Sequence, residues 1–374
     1  MVASLPGFAA LLALLFTWMQ VTQTSKELRI TEQGQITNRF NAAINNLGST
    51  SLDVRLGGIY ALGRIMDDSA RDHPTVVSVL SAYLRTHAAV LTGDKRPHTE
   101  ASRQSSPEAD VQAVMTVLGN RRSDLDRGDP IDLRRTSLRG VQLDRHPNVI
   151  LFREAVLSDA DLGGSSLLNL DLRGAWLDRV NLTGAALTGS RLDNAFMYGA
   201  NFAYADVSGS HFNGADLHEA NLTGTHFCGD TYIQPAQGGR GTAAAFPGRT
   251  RWLSRTEDDS GSPADQCADL ANVELIGANL TNALLPSMNL TSTIFCPDPS
   301  VELGRCSNLT GAILSGSNLK GAHLSGASLR GADLTNVDLR YADLRNADLT
   351  GAEVSGARFE GAILKGVRGL PLSP

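Results

Sequence analysis

The stretch GADLTNVDLRYADLRNADLTGAEV, residues 331–354, places a Leu at every fifth position (Leu334, Leu339, Leu344, Leu349). A small residue stands two places before each (Ala332, Val337, Ala342, Ala347), with an Asp between. A period of five matches neither the 3.6 of an amphipathic helix nor the 2 of a half-buried strand, so neither default element fits. Working outward, the same spacing supplies 37 Leu-type centres between Leu133 and Leu364, and the repeat occupies residues 131–367. Each pentad directs the Leu-type residue and the small residue before it to one side, leaving three polar or Gly positions outside. A chain turning after each unit winds into a coil whose interior holds only those two positions. Successive coils then stack through backbone hydrogen bonds at about 4.8 Å per layer.

This pattern resembles the pentapeptide-repeat family. The resemblance covers about two-thirds of the chain. It implies a mainly β fold, a right-handed quadrilateral β-helix with four pentads per coil, preceded here by a transmembrane helix and a small α-helical region. On that geometry the repeat makes roughly nine coils and a rod of about 45 Å. Composition agrees: aromatics are only 5% and Gly numbers 37, as thin interiors and tight turns require.

Residues 5–22 begin with an uncharged run, LPGFAALLALLFTWMQV, with Trp18 near one edge. Its length reaches the lower limit for a membrane span. No Lys or Arg precedes it and no small-x-small cleavage site follows, which favours an anchor over a cleaved signal peptide. The expectation is a single-pass membrane protein. Residues 24–92 read as a helical segment. The first helix ends at Gly48, the second starts at a Ser or Asp cap, and the third starts at Asp72-His73-Pro74. DVRLGGIYALGRI resembles the opening of a HEAT-type repeat, weakened by Gly57 and Gly58. A Pro-, Ser- and charge-rich linker (93–108) leads to a further helix and an N-terminal cap of the solenoid (109–130). The region also resembles the juxtamembrane helical segment ahead of pentapeptide repeats in actinobacterial membrane proteins. A β-helix ends in unpaired edges, so this segment is expected to cover the first coil. At the other end, the tail 368–374 carries two prolines that cannot template another strand.

The repeat is interrupted at 229–266 and 297–305. Deleting either segment restores an unbroken period, so each is expected to be a loop budding from an intact rod. Each is bracketed by cysteines at the same two repeat positions, Cys228 with Cys267 and Cys296 with Cys306. These are candidate disulfides closing the loop necks, with reduced thiols as the alternative. A shared zinc site is disfavoured, because the two pairs lie one and a half coils apart on the family geometry. The membrane side is contested. Disulfides favour an extracytoplasmic rod. Lys26 and Arg29 after the apolar run favour a cytoplasmic one. Relatives of the membrane-anchored type imply the cytoplasm, which is the expectation unless the cysteines are bonded.

The net charge of −6 falls on the repeat, since the first 130 residues hold 13 basic and 13 acidic side chains. No basic patch suggests nucleic acid. The sequence contains no GxxxxGK or HExxH and no nucleophile paired with a nearby His, so neither an enzyme nor a cofactor is expected. Asp333, Asp338, Asp343 and Asp348 are expected to ring one coil as a solvated belt with Arg330, Arg340 and Arg345, without converging on a metal. In a four-pentad coil, residues 20 apart stack. Val156, Trp176 and Phe196 then share one column and Asp178, Tyr198 and His218 a second, giving an outward aromatic patch. Such a patch marks either a partner surface or a surface covered by the helical region or the longer loop. The leading reading is therefore a membrane-tethered, non-enzymatic protein-binding or scaffold module whose partner is unknown. The family resemblance also implies an alternative, a DNA mimic that protects DNA gyrase. That reading sits poorly with the dispersed charge and abundant Arg.

Overall fold

A computed structural model describes residues 5–90, 107–126, 128, 130–143, 150–228, 268, 270, 273–285, 288–296 and 306–370. Four helices come first: α1 (Leu5–Leu47), α2 (Leu52–Asp68), α3 (His73–His87) and α4 (Ala109–Gly119). Two short parallel strands, β1 (Ile150–Leu151) and β2 (Leu170–Asp171), belong to a long ladder of single parallel bridges.

α1 is one uninterrupted helix where the sequence reading separates a membrane span at 5–22 from a soluble helix starting at 24. The reason is local: SKELRITEQ is rich in good helix formers, with no cap or proline to stop it. Side chains of α1 are described for residues 14–23 and from 34 onward, so part of the expected span lies outside the described side chains. Among the described residues, no helix is long and apolar enough to cross a membrane.

α2 is the centre of the helical unit and packs against α1, α3 and α4. Its mid-helix Gly58, costly for a helix in isolation, is explained by that packing. A Cβ there would stand 2.8 Å from the Ala43 carbonyl and 2.9 Å from the Leu47 nitrogen, so only Gly lets the two backbones cross this closely. Two polar clusters fix the helices. Asp110 accepts hydrogen bonds from Arg55 Nε (2.8 Å) and Tyr83 Oη (2.7 Å). Burial pushes the Asp110 carboxyl up, but the Tyr83, Arg55 and Val111 donors override it and hold it below its usual range. Burial and that same carboxylate push the Tyr83 phenol up to about 12. The second cluster joins buried His73 and Arg121 through Asp126, at 3.0 and 2.8 Å.

Beyond the helices the chain winds in four-sided coils. The ladder offset is 20 residues, as in Val156–Trp176–Phe196–Asp216, so four pentads make one turn. The described pentads share one turn, marked by a residue of positive φ. In most described pentads the amide two residues before a Leu-type centre donates to the carbonyl of the preceding centre (Ala342 to Leu339, 3.1 Å). The third residue of that turn has positive φ, as at Asn336, Tyr341 and Asn346. This is the pattern of a type II turn, which favours Gly or Asn at that place. Leu334, Leu339, Leu344 and Leu349 are all buried. Above the first coil, where the small position is Ser or Thr, its hydroxyl is buried and bonded one layer away, as from Ser190 to Leu167 O (2.8 Å) and Ser210 to Leu187 O (2.7 Å).

Across the two interruptions the ladder continues. Asp216 pairs with Glu274, an offset of 58, which exceeds 20 by the length of 229–266. Asn279 pairs with Asn308, an offset of 29, which exceeds 20 by the length of 297–305. A further excess of four appears below the second coil, where Asp132 pairs with Val156. The spacing of nine between Leu143 and Phe152 holds that signal in the sequence, but the pentad count passes over it.

The helical unit closes the open edge of the first coil on all four sides. Arg85 Nη1 donates to Asp132 O (2.6 Å), and the Ser137 amide donates to Ala88 O (2.5 Å). Gln112 makes a two-way pair with the Gln142 backbone, at 2.7 and 2.9 Å. The Arg121 guanidinium donates to Leu151 O. Three side chains and the backbone at Ala88–Val90 occupy the positions that a neighbouring strand would take, which removes the template for edge pairing. At the far end, Leu364 is exposed and Phe359 partly so. Pro371 and Pro374, the expected blockers, lie outside the described residues.

Candidate interaction surface

Each face of the rod has its own outward column. One face carries Asp161, Asn181, Asn201, Asn221, Asn279 and Asn308 in ladder register. Its amides link layer to layer: Asn181 Nδ2 donates to Asp161 (2.8 Å), Asn221 Nδ2 to Asn201 (3.0 Å) and Asn279 Nδ2 to Thr223 Oγ1 (2.9 Å). This face is internally satisfied, and its surface is backbone-like in regularity. The sequence reading missed it. An Asn repeating every 20 residues is visible only once the four-pentad coil is imposed.

The acidic belt near the far end distributes as expected. Asp333, Asp338, Asp343 and Asp348 sit on four different faces. Arg340 pairs with Asp338 and Arg345 with Asp343, both at 2.5 Å, and Arg330 reaches Asp348 at 3.1 Å. The Arg340 guanidinium holds the Asp338 carboxyl down to about 2. Among the described residues there is no cluster that could hold a metal ion.

The aromatic face differs from both. Val156, Trp176 and Phe196 stack in one column by consecutive bridges. The Trp176 and Phe196 rings lie 4.9 Å apart at a 35° tilt. Asp178, Tyr198 and His218 form the adjoining column, bonded backbone to backbone through the turn: the Arg179 amide donates to Tyr198 O, and the Gly199 amide to His218 O. The structure therefore brings Trp176, Phe196, Tyr198 and His218 together. Trp176 is 50%, Phe196 44% and Tyr198 43% exposed. The helical unit does not cover them, because it ends on the first coil. Whether the loop at 229–266 does so falls outside the described residues.

Carboxylates frame the rings. Tyr198 Oη donates to Glu219 Oε2 at 2.8 Å. His218 Nδ1 lies 2.6 Å from Asp216 and 3.8 Å from Glu274. Arg179 is committed to Asp159 by a two-point contact at 2.7 and 3.0 Å. Burial pushes the Asp178 carboxyl above its ordinary value, and Asp216 and Asp159 add to that.

Among the described residues, Cys228 and the Cys296–Cys306 pair sit at corners on opposite sides of the coil. Cys296 and Cys306 are disulfide-bonded with Cα atoms 4.3 Å apart, at the neck of the shorter loop. Cys228 is disulfide-bonded as well. Its expected partner Cys267 lies outside the described residues.

Comparison with known proteins finds the pentapeptide-repeat family model in eight copies, over residues 155–229 and 305–366. No curated protein matches the chain. Among solved structures, it is similar to HetL, a pentapeptide repeat protein involved in heterocyst differentiation regulation from the cyanobacterium Nostoc. Identity is 27%, over 62% of this chain and 88% of that one, with TM-score 0.29. It is similar to QnrB1, a plasmid-mediated fluoroquinolone resistance protein, at 16% identity over 61% and 88% of the two chains, TM-score 0.30. A pentapeptide repeat protein of the Arabidopsis thaliana thylakoid lumen matches at 20% identity over 48% and 70%, TM-score 0.13. The family match falls within the five-residue period and the 20-residue ladder, and residues 155–229 and 305–366 of the chain are pentapeptide repeats.

Proposed function

We propose that this protein is a non-enzymatic binding module, a rigid rod tethered to a membrane that captures a protein partner on its aromatic face. The observation that supports it is the half-exposed Trp176–Phe196–Tyr198 group on a scaffold whose backbone is fixed by a ladder on both sides. Apolar area held rigidly in water is area that a partner covers at little ordering cost. The test is a photo-crosslinking amino acid in place of Tyr198, compared with one in place of Ile313 on the opposite face. Discrete adducts at 198 that disappear with Trp176→Ala are expected. Equal adducts at both sites would overturn the reading.

The tether rests on the described part of the apolar run. Leu14, Leu15, Phe16, Trp18, Met19 and Val21 are all more than half exposed, so this stretch of α1 presents a wide apolar surface, broken on one side by Thr17 and Gln20. Such a helix surface is stable in lipid or under another protein. Removing residues 1–23 should move the protein from the membrane fraction to the supernatant, and unchanged fractionation would exclude the tether. The Cys296–Cys306 disulfide supports an extracytoplasmic rod. A membrane-impermeant maleimide should therefore label intact cells only after reduction; labelling that requires lysis would place the rod inside. The gyrase-mimic alternative expects uninterrupted acidic columns, whereas Arg–Asp pairs recur here from Arg139–Asp161 to Arg345–Asp343.

A further inference from the structure

The aromatic face is flanked on one side by an unusual concentration of carboxylates. Asp216 and Glu274 continue the Trp176–Phe196 column in the next two layers, at about 4.8 Å per layer. Asp178 adjoins the rings, and Glu219 is tied to the Tyr198 hydroxyl. The cations nearby are already engaged, since Arg179 is locked on Asp159 and His218 leans on Asp216. Three π-faces open to solvent thus stand within three layers of four carboxylates. Gly199 occupies the turn between Arg179 and Glu219, so no side chain fills the corner beside Tyr198.

We propose that the aromatic face is a docking site for a cationic protein segment, one that lays an Arg or Lys across Trp176, Phe196 or Tyr198 and extends its charge toward Asp216, Glu219 and Glu274. The inference rests on the reading of this face as a partner surface and adds the chemistry of the partner. Aromatic faces attract guanidinium and ammonium groups through the ring quadrupole. A carboxylate rim then fixes their direction and speeds the encounter. An acidic or purely apolar segment would satisfy the rings but leave the rim repelled or desolvated. The Asp178 carboxyl is raised chiefly by burial, with smaller contributions from Asp216 and Asp159.

The experiment is selection of random displayed peptides on the full chain in lipid nanodiscs, with the Trp176→Ala protein as counter-target. Circular dichroism would verify that the substituted rod is folded. Peptides lost on Trp176→Ala are expected to be enriched in Arg and Lys. Replacing the cation of a selected peptide by neutral citrulline should weaken binding tenfold or more. Glu219→Gln with Glu274→Gln should weaken it at least threefold, and less so in high salt. Trp176-dependent peptides without cation enrichment would overturn the cationic partner and leave the docking surface standing. An absence of Trp176-dependent peptides would overturn both.

Discussion

A single pentad shows why this rod tolerates so little variation inside and so much outside. The Leu-type centre is buried to about the same extent in almost every coil, and the position before it is free to be Asp, Asn, Trp or Ile. Leu344→Ala should cost roughly 2–5 kcal/mol, because coil spacing fixed by backbone bonds leaves no room for collapse around the void; thermal melts would measure it. Gly214→Ala should also destabilise, by about 1 kcal/mol. Its φ of +67° is disfavoured for Ala, and the new Cβ would meet Asn194 Oδ1 at 2.6 Å. The pH response follows from the Asp–Arg pairs. Asp338 is held at about 2 in the folded chain. A depressed carboxylate contributes stability above its unfolded pKa of about 3.9 and loses it as pH falls toward the folded value. Urea melts from pH 7 to pH 2 should be flat down to about pH 4 and fall below it, and Asp338→Asn with Asp348→Asn should shrink that fall. At this scale the core was legible because a five-residue period admits one inward pair. The asparagine ladder was not, because it emerges only from the longer repeat.

Between elements, the informative junction is the one where helices meet the first coil. Its existence could be argued from the sequence, since an open β edge needs cover. Its agents could not, because Arg85, Gln112 and Arg121 come from helices whose order on the coil no local pattern encodes. Gly58 is a related case: as a single residue it weakens a helix, and only the crossing with α1 gives it a purpose. Gln112→Ala should leave the Gln142 amide without its side-chain acceptor and accelerate its hydrogen exchange tenfold or more, while the Leu344 amide keeps its protection. Arg121→Ala should be harsher, about 3–5 kcal/mol in a chemical melt, since it strips Asp126 of its buried cation. The helix run-through at residues 22–24 was misread for the opposite reason. A change in polarity is a change of environment, and no stop signal accompanies it.

For the molecule as a whole, the repeat behaves as a stack in which each layer knows only its neighbours. The two interruptions were legible because the period resumes in phase after them, and the ladder offsets of 58 and 29 are the three-dimensional form of that phase. Excising residues 229–266 should leave a cooperative melt within a few degrees of the parent, as expected for a segment outside the stack. A broad or split transition would mean that the segment contributes to the layers it interrupts. The closure of the first coil by the helices has a consequence in time as well as in space. Because the finished end is encoded first, a nascent chain emerging from a ribosome meets a completed platform before any repeat appears. Each new set of four pentads can then crystallise onto the last, about 20 residues behind the exit, without waiting for distant sequence. Synthesis and folding would run in the same direction, with the cap as seed and every coil as the mould for its successor.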